Sequence, residues 1–268
     1  MTEGAPGIEP GAFSAAVRRE YFKLPRDLAI LTRCFGIVLP LELQRDVAVL
    51  TFAIECTDRL LDAIAEADRR VQFGAAVLKC LRGDTLSNGA LTPELAAWLD
   101  QLREVSERRN IHERLCDLAG GLLENSERMR TARDCRGFID CAVREGRMMV
   151  GMLLLILAGV STARFDSFMR LLSEPANLGD KLRDARRDFC NGEIAIKPTW
   201  WFYARLSFEF VKRTARLAPF SFANWRLAGW GMHSVLSELI WHNGRRENSE
   251  TFPCIASFGE TASFSRTH

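Results

Sequence analysis

The segment ELQRDVAVLTFAIECTDRLLDAIAEADRR, residues 42–70, repeats apolar side chains at Val47, Leu50, Ile54, Leu61 and Ile64 or their near neighbours. That is the i, i+3, i+4, i+7 recurrence of a helix with one buried stripe, whereas a strand would alternate with period two. No other stretch alternates for long enough to suggest a sheet, and helix-sized intervals separate most of the nine prolines. The expected fold is therefore all-α, a single-domain helical bundle.

Working outward, RGDTLSNGALTPEL (82–95) carries Gly83, Asn88, Gly89 and Pro93 and reads as a loop. Thr92 is placed to cap the next helix, with Pro93 at its first position. Helices are expected through ELAAWLDQLREVSERR (94–109) and IHERLCDLAGGLLENSERMR (111–130). The following one, CRGFIDCAVREGRMMVGMLLLILAG (135–159), is expected to break at Gly146 and Gly151. After SEPANLG (173–179) comes a helix that Pro198 ends. Residues 1–20 are expected to form a flexible N-terminus, 21–247 the helical domain, and 248–268 a loosely attached tail.

Composition narrows the function. The chain of 268 residues has 36 Lys and Arg against 34 Asp and Glu. With the two signs intermixed, this is no nucleic-acid footprint. The eight cysteines form no C-x-x-C pair and the four histidines show no metal-ligand spacing, which argues against a zinc site and a disulfide framework. The N-terminus lacks the basic start and apolar run of a signal peptide, so a reducing cytoplasm is expected. The longest apolar run, MMVGMLLLILAGV (148–160), falls short of the ~20 residues that span a bilayer. Peripheral membrane contact remains open, because tryptophans and phenylalanines crowd the last third of the chain. The oligomeric state is not legible.

Two acidic helices carry the chemistry. Asp58 and Asp62 stand four residues apart, as do Asp180, Asp184 and Asp188, so each set shares a helix face. Like charges at this spacing cost roughly 0.2–0.5 kcal/mol per pair on an exposed helix. One explanation is a solvated face laced with Arg59, Lys181, Arg183, Arg186 and Arg187; Glu42/Asp46 and Glu113/Asp117 are comparable pairs. The other is that the two helices face each other and share Mg2+, which takes one or two carboxylates and completes its octahedron with waters and phosphate oxygens.

In this arrangement the chain resembles the squalene/phytoene synthase family. VLPLELQRDVAVLTFAIECTDRLLD (38–62) is similar to the family's pattern LP…R…A…YAFCR.ADDIVD, and DKLRDARRDFCNGEIAIKP (180–198) to N.LRD..ED…GR.YLP. FIDCAVREGRMMVG (138–151) is similar to YCY.VAG.VG, keeping Cys141 and Gly146. The likeness covers about residues 30–200. It implies the isoprenoid synthase bundle with a central apolar cavity, and a Mg2+-dependent class I enzyme that ionises a farnesyl- or geranylgeranyl-type prenyl diphosphate. Under it Asp58, Asp62, Asp184 and Asp188 become catalytic metal ligands, joined by Asp180 where the family has asparagine, and Arg183 contacts the diphosphate.

The chain departs from the family at several positions. Glu55 replaces an arginine, Asp140 and Ala142 replace tyrosines, and Arg187 replaces an acid. Arg144 and Arg147, flanking Gly146, are candidates to supply the phosphate contact that Glu55 does not. The run Met148–Leu157 is a candidate wall for a prenyl chain, and Trp200, Trp201, Phe202, Phe208 and Phe210 are candidates to stabilise a carbocation. Two further readings stand beside the coupling enzyme: a single-substrate terpene cyclase on the same scaffold, and a catalytically silent bundle serving as a binding or assembly module.

Overall fold

The computed structural model describes residues 23–85 and 89–224, together with Leu227 and Gly229. The chain divides into two compact units, residues 1–227 and 228–268, and all elements below belong to the first. The expectations for residues 1–20 and 248–268 fall outside the described residues.

The fold is all-α, with no strand among the described residues. The helices are α1 Lys23–Cys34, α2 Leu41–Asp62, α3 Ala67–Arg82, α4 Pro93–Arg108, α5 His112–Arg130, α6 Cys135–Ile156, α7 Ala163–Cys190 and α8 Trp200–Thr214. A 3-10 turn, Ala215–Leu217, and a short α9, Ala218–Ala223, follow. The α6 helix packs between α5 and α7, and α8 lies along α7. On the other side α2, α3 and α4 pack on one another, and α2 reaches across to α6.

Helix starts follow side-chain chemistry. Thr92 accepts a hydrogen bond from the Leu95 amide ahead of Pro93, as its sequence position predicts. Asp134, Thr162 and Thr199 cap α6, α7 and α8 in the same way.

Three boundaries differ from the sequence expectation. Residues 42–70 make two helices, α2 and α3, with a turn between Asp62 and Ala67. No glycine or proline marks that turn. Instead the Arg70 guanidinium donates to the carbonyls of Ile64 and Ala65, at 3.0 and 2.7 Å, and to the carboxylate of Glu127 on α5. The α6 helix is unbroken at Gly146 and Gly151. At Gly146 it makes a close approach to α7, where a Cβ would stand 2.2 Å from the Ser173 carbonyl oxygen. The α7 helix runs through SEPANLG and its internal Pro175, and stops at Cys190 well before Pro198. Gly192 turns the chain left-handed at φ +77°, and the Glu193 amide closes back on the Asp188 carbonyl at 2.8 Å, a glycine-based C-terminal cap.

Buried Glu174 ties α7 to its neighbours. Its carboxylate accepts from Arg147 of α6, Arg213 of α8 and Arg216 of the 3-10 turn. Burial pushes its pKa up, and the two hydrogen-bonded guanidiniums of Arg147 and Arg213 more than offset that, holding it below the usual value. Asn177 donates to the Ala142 carbonyl at 2.6 Å, one turn further along. These side chains hold α7 against α6 on both sides of the proline.

Candidate functional site: an acid-lipped aliphatic cavity

Six helices enclose a hollow containing about 1020 Å3 of empty space, its open mouth included. Aliphatic residues from α2, α3, α4 and α5 line its depth, among them Leu81, Leu99, Leu102 and Leu115, all nearly inaccessible to solvent. Met149 and Met152, from the run expected to wall an apolar pocket, line it from α6. Among the described residues the lining contains no aromatic side chain.

The polar lining comes from four helices: Glu55, Thr57 and Asp58 of α2, Ser126 of α5, Glu145 of α6, and Asn177, Asp180 and Lys181 of α7. Asp58 and Asp180 therefore border one cavity, although they lie more than a hundred residues apart in the chain. They are accessible from the hollow yet ringed by protein. The pKa of Asp58 is pushed up to about 7, first by burial and then by the neighbouring charges of Asp62, Glu145 and Glu55. Burial likewise raises Asp180, against the pull of Arg183.

Lys181 stands among these acids and is the one basic side chain of the lining among the described residues. Its Nζ lies 3.3 Å from Oε2 of Glu145, and the Asn177 amide donates to the same oxygen at 2.8 Å. Burial works to lower the lysine's pKa, but Glu145, Asp180, Asp58 and Asp188 overcome it and hold the ammonium above the ordinary range. The mouth is thus an excess of carboxylates around a permanent internal cation.

The other proposed ligands are paired outside the cavity lining. Asp62 is bound by Arg130, which also borders the Arg70–Glu127 pair. Arg183 bridges Asp180 and Asp184, the latter at 2.9 Å, and Arg187 reaches Asp184 and Asp188 at 3.4 and 3.3 Å. The repulsion along the aspartate stack is relieved by this arginine ladder, as the solvated-face reading expects. Asp188 is nonetheless buried, and its pKa rises to about 6 through burial and then the charge of Glu193.

Arg144 and Arg147 do not line the cavity. Arg144 is exposed and Arg147 is spent on Glu174. Phe202 is buried in the core beside Phe138, while Trp200, Trp201 and Phe208 are exposed; with Phe210 packed against the core cluster, none of the five faces the hollow. Glu145 and Asn177 were not singled out from the sequence, and Lys181 was read there only as part of a solvated face. The available signal was Asn177, Lys181 and Asp188 falling on one stripe of α7 at four- and seven-residue steps.

Among the described residues, no group of three or more His, Cys, Asp or Glu side chains converges tightly enough to hold a metal. The donors are hard oxygens nonetheless, and Mg2+ needs only one or two of them when phosphate and water supply the rest. Asp58 and Asp180 suit that requirement.

Fold and site together define a class: an all-α bundle around an aliphatic cavity with a carboxylate mouth. Comparison with protein-family models, curated proteins and solved structures finds no match to this chain.

Proposed function

We propose that the protein is a Mg2+-dependent class I isoprenoid synthase of the squalene/phytoene synthase kind, which binds an allylic prenyl diphosphate of farnesyl or geranylgeranyl type in this cavity. One observation carries the reading: Asp58 of α2 and Asp180 of α7 both line a single, largely aliphatic hollow. An apolar chain inserted there removes apolar surface from water on both sides, at about 25 cal/mol per Å2. Its headgroup then rests at the carboxylates, which bind it only through a cation.

Asp58 and Asp180 would hold the metal. Bound Mg2+ supplies charge neutralisation of the departing diphosphate. Lys181 donates directly to a diphosphate oxygen, the contact that Glu55 does not provide. Asn177 keeps Glu145 beside that ammonium. The leucines and methionines of the depth exclude water from a cationic chain. Among the described residues the lining offers no aromatic face to a migrating carbocation, which favours transfer over the single-substrate cyclase.

A second reading has its own support. The ammonium of Lys181 already occupies the centre of the acids, as in a silent bundle that binds a lipid without ionising it. The test incubates the purified protein with farnesyl or geranylgeranyl diphosphate and Mg2+, and measures released pyrophosphate and extracted hydrocarbon. Release with a doubled carbon skeleton is expected, and it is expected to vanish in Asp58→Asn/Asp180→Asn. Binding with no release from either substrate would replace the enzyme by the binding module.

A further inference from the structure

The α8 helix has two apolar faces. Phe202 and Leu206 of the inner one are buried at 3% and 0% exposure. On the outer one Trp200, Trp201, Phe208 and Val211 are exposed at 65%, 73%, 66% and 62%. At 3.6 residues per turn these four span an arc of roughly 100°, and the two indoles stack at 4.3 Å. Phe222, on the short helix that follows, is 90% exposed. The stripe presents on the order of several hundred Å2 of apolar surface, the scale at which an exposed patch marks an interaction site.

The charge beside the stripe is of one sign. Lys197, Arg205, Lys212 and Arg216 are exposed, and the same stretch holds one acid, Glu209, paired with Lys212 and Arg213. Arg205 and Lys212 follow the apolar arc along one edge, while Ser207 and Thr214 border the other. Indole and phenyl rings beside lysine and arginine are the composition of a helix lying in a bilayer interface. Each basic residue near an anionic surface adds electrostatic attraction that salt screens. No described helix is long and apolar enough to cross a membrane, so attachment would be in the plane.

We propose that the outer face of α8 docks the protein on an anionic phospholipid surface, with Trp200, Trp201 and Phe208 inserted at headgroup depth and Arg205 and Lys212 against the phosphates. This assignment is independent of the reaction class proposed above. The test is flotation of the full chain with vesicles of phosphatidylcholine, alone or mixed with phosphatidylglycerol, combined with quenching of tryptophan fluorescence by brominated lipid. Salt-sensitive binding to the mixed vesicles is expected, with quenching. At least a tenfold loss is expected in Trp200→Ser/Trp201→Ser/Phe208→Ser and, separately, in Arg205→Glu/Lys212→Glu, which leaves the aromatics in place and guards against misfolding of the first variant. Absence of vesicle binding would overturn the proposal, as would undiminished binding of both variants. A dimer seen by light scattering and lost in the serine variant would assign the face to a second copy instead.

Discussion

A lysine ammonium ringed by Glu145, Asp180, Asp58 and Asp188 must share those carboxylates with an arriving divalent cation or give them up. Lys181→Met is therefore expected to tighten Mg2+ binding and to weaken inorganic pyrophosphate binding at least tenfold, roughly 1.4 kcal/mol, both read by titration calorimetry. Unchanged Mg2+ affinity would mean that the lysine does not compete for the site. The same residues set a pH dependence in metal-free protein. Asp58 and Asp188 rise from 3.8 to about 7 and about 6, so between those values the folded chain holds protons that the unfolded chain has released. Stability then falls as pH rises from about 4 to 7 and levels off above. The contribution of Lys181 is constant there, being lost only above its unfolded pKa of 10.5. Glu174, held low, costs stability only toward acid, below its ordinary 4.5. Urea midpoints across pH 5–8 check this: the slope should flatten in Asp58→Asn, and saturating Mg2+ should stabilise more at pH 8 than at pH 5.5.

Between elements, the α6–α7 contact is the most exacting. A methyl at Gly146 meets backbone of Ser173, which cannot rotate away, so Gly146→Ala must push the helices apart. A loss of about 1–3 kcal/mol is expected, a fall in Tm of roughly 2–4 °C per kcal/mol for a domain of this size, whereas Gly151→Ala, facing only side-chain atoms of Leu118 at 3.3 Å or more, should cost less. Much at this scale was legible in the chain: the Thr92–Pro93 start, the helices on 94–109 and 111–130, and the acidic faces of α2 and α7. The turn between α2 and α3 was not, because no local breaker marks it: the side chain of Arg70, in the first turn of α3 and held by distant Glu127 of α5, satisfies its carbonyls. Nor was the continuity of α7 through Pro175, where side chains on α6, α8 and α7 itself hold together a segment that local propensity would interrupt. Gly146 could be seen as special, but a glycine that breaks a helix and one that admits a neighbour look alike in a single sequence.

For the whole molecule, the hollow is the feature from which the proposed chemistry follows. Ala119, on α5, borders it. Ala119→Trp is expected to obstruct it, leaving Tm unchanged or raised while abolishing calorimetric binding of farnesyl diphosphate; full binding by this variant would place the lipid elsewhere. Periodicity determined that the chain is helical, where most helices begin, and that two of them each stack aspartates on one side. These properties depend on neighbours within a turn or two, and short-range sterics and capping fix them. Only the tertiary structure decided which carboxylates border the cavity and which are paired outside it, that Glu145 and Lys181 join them, and that Trp200, Trp201 and Phe208 after the second acidic helix point outward while Phe202 enters the core. A helical stripe specifies that a face is buried or charged, but its partner is chosen by packing between segments far apart in the chain, and no local pattern encodes that choice.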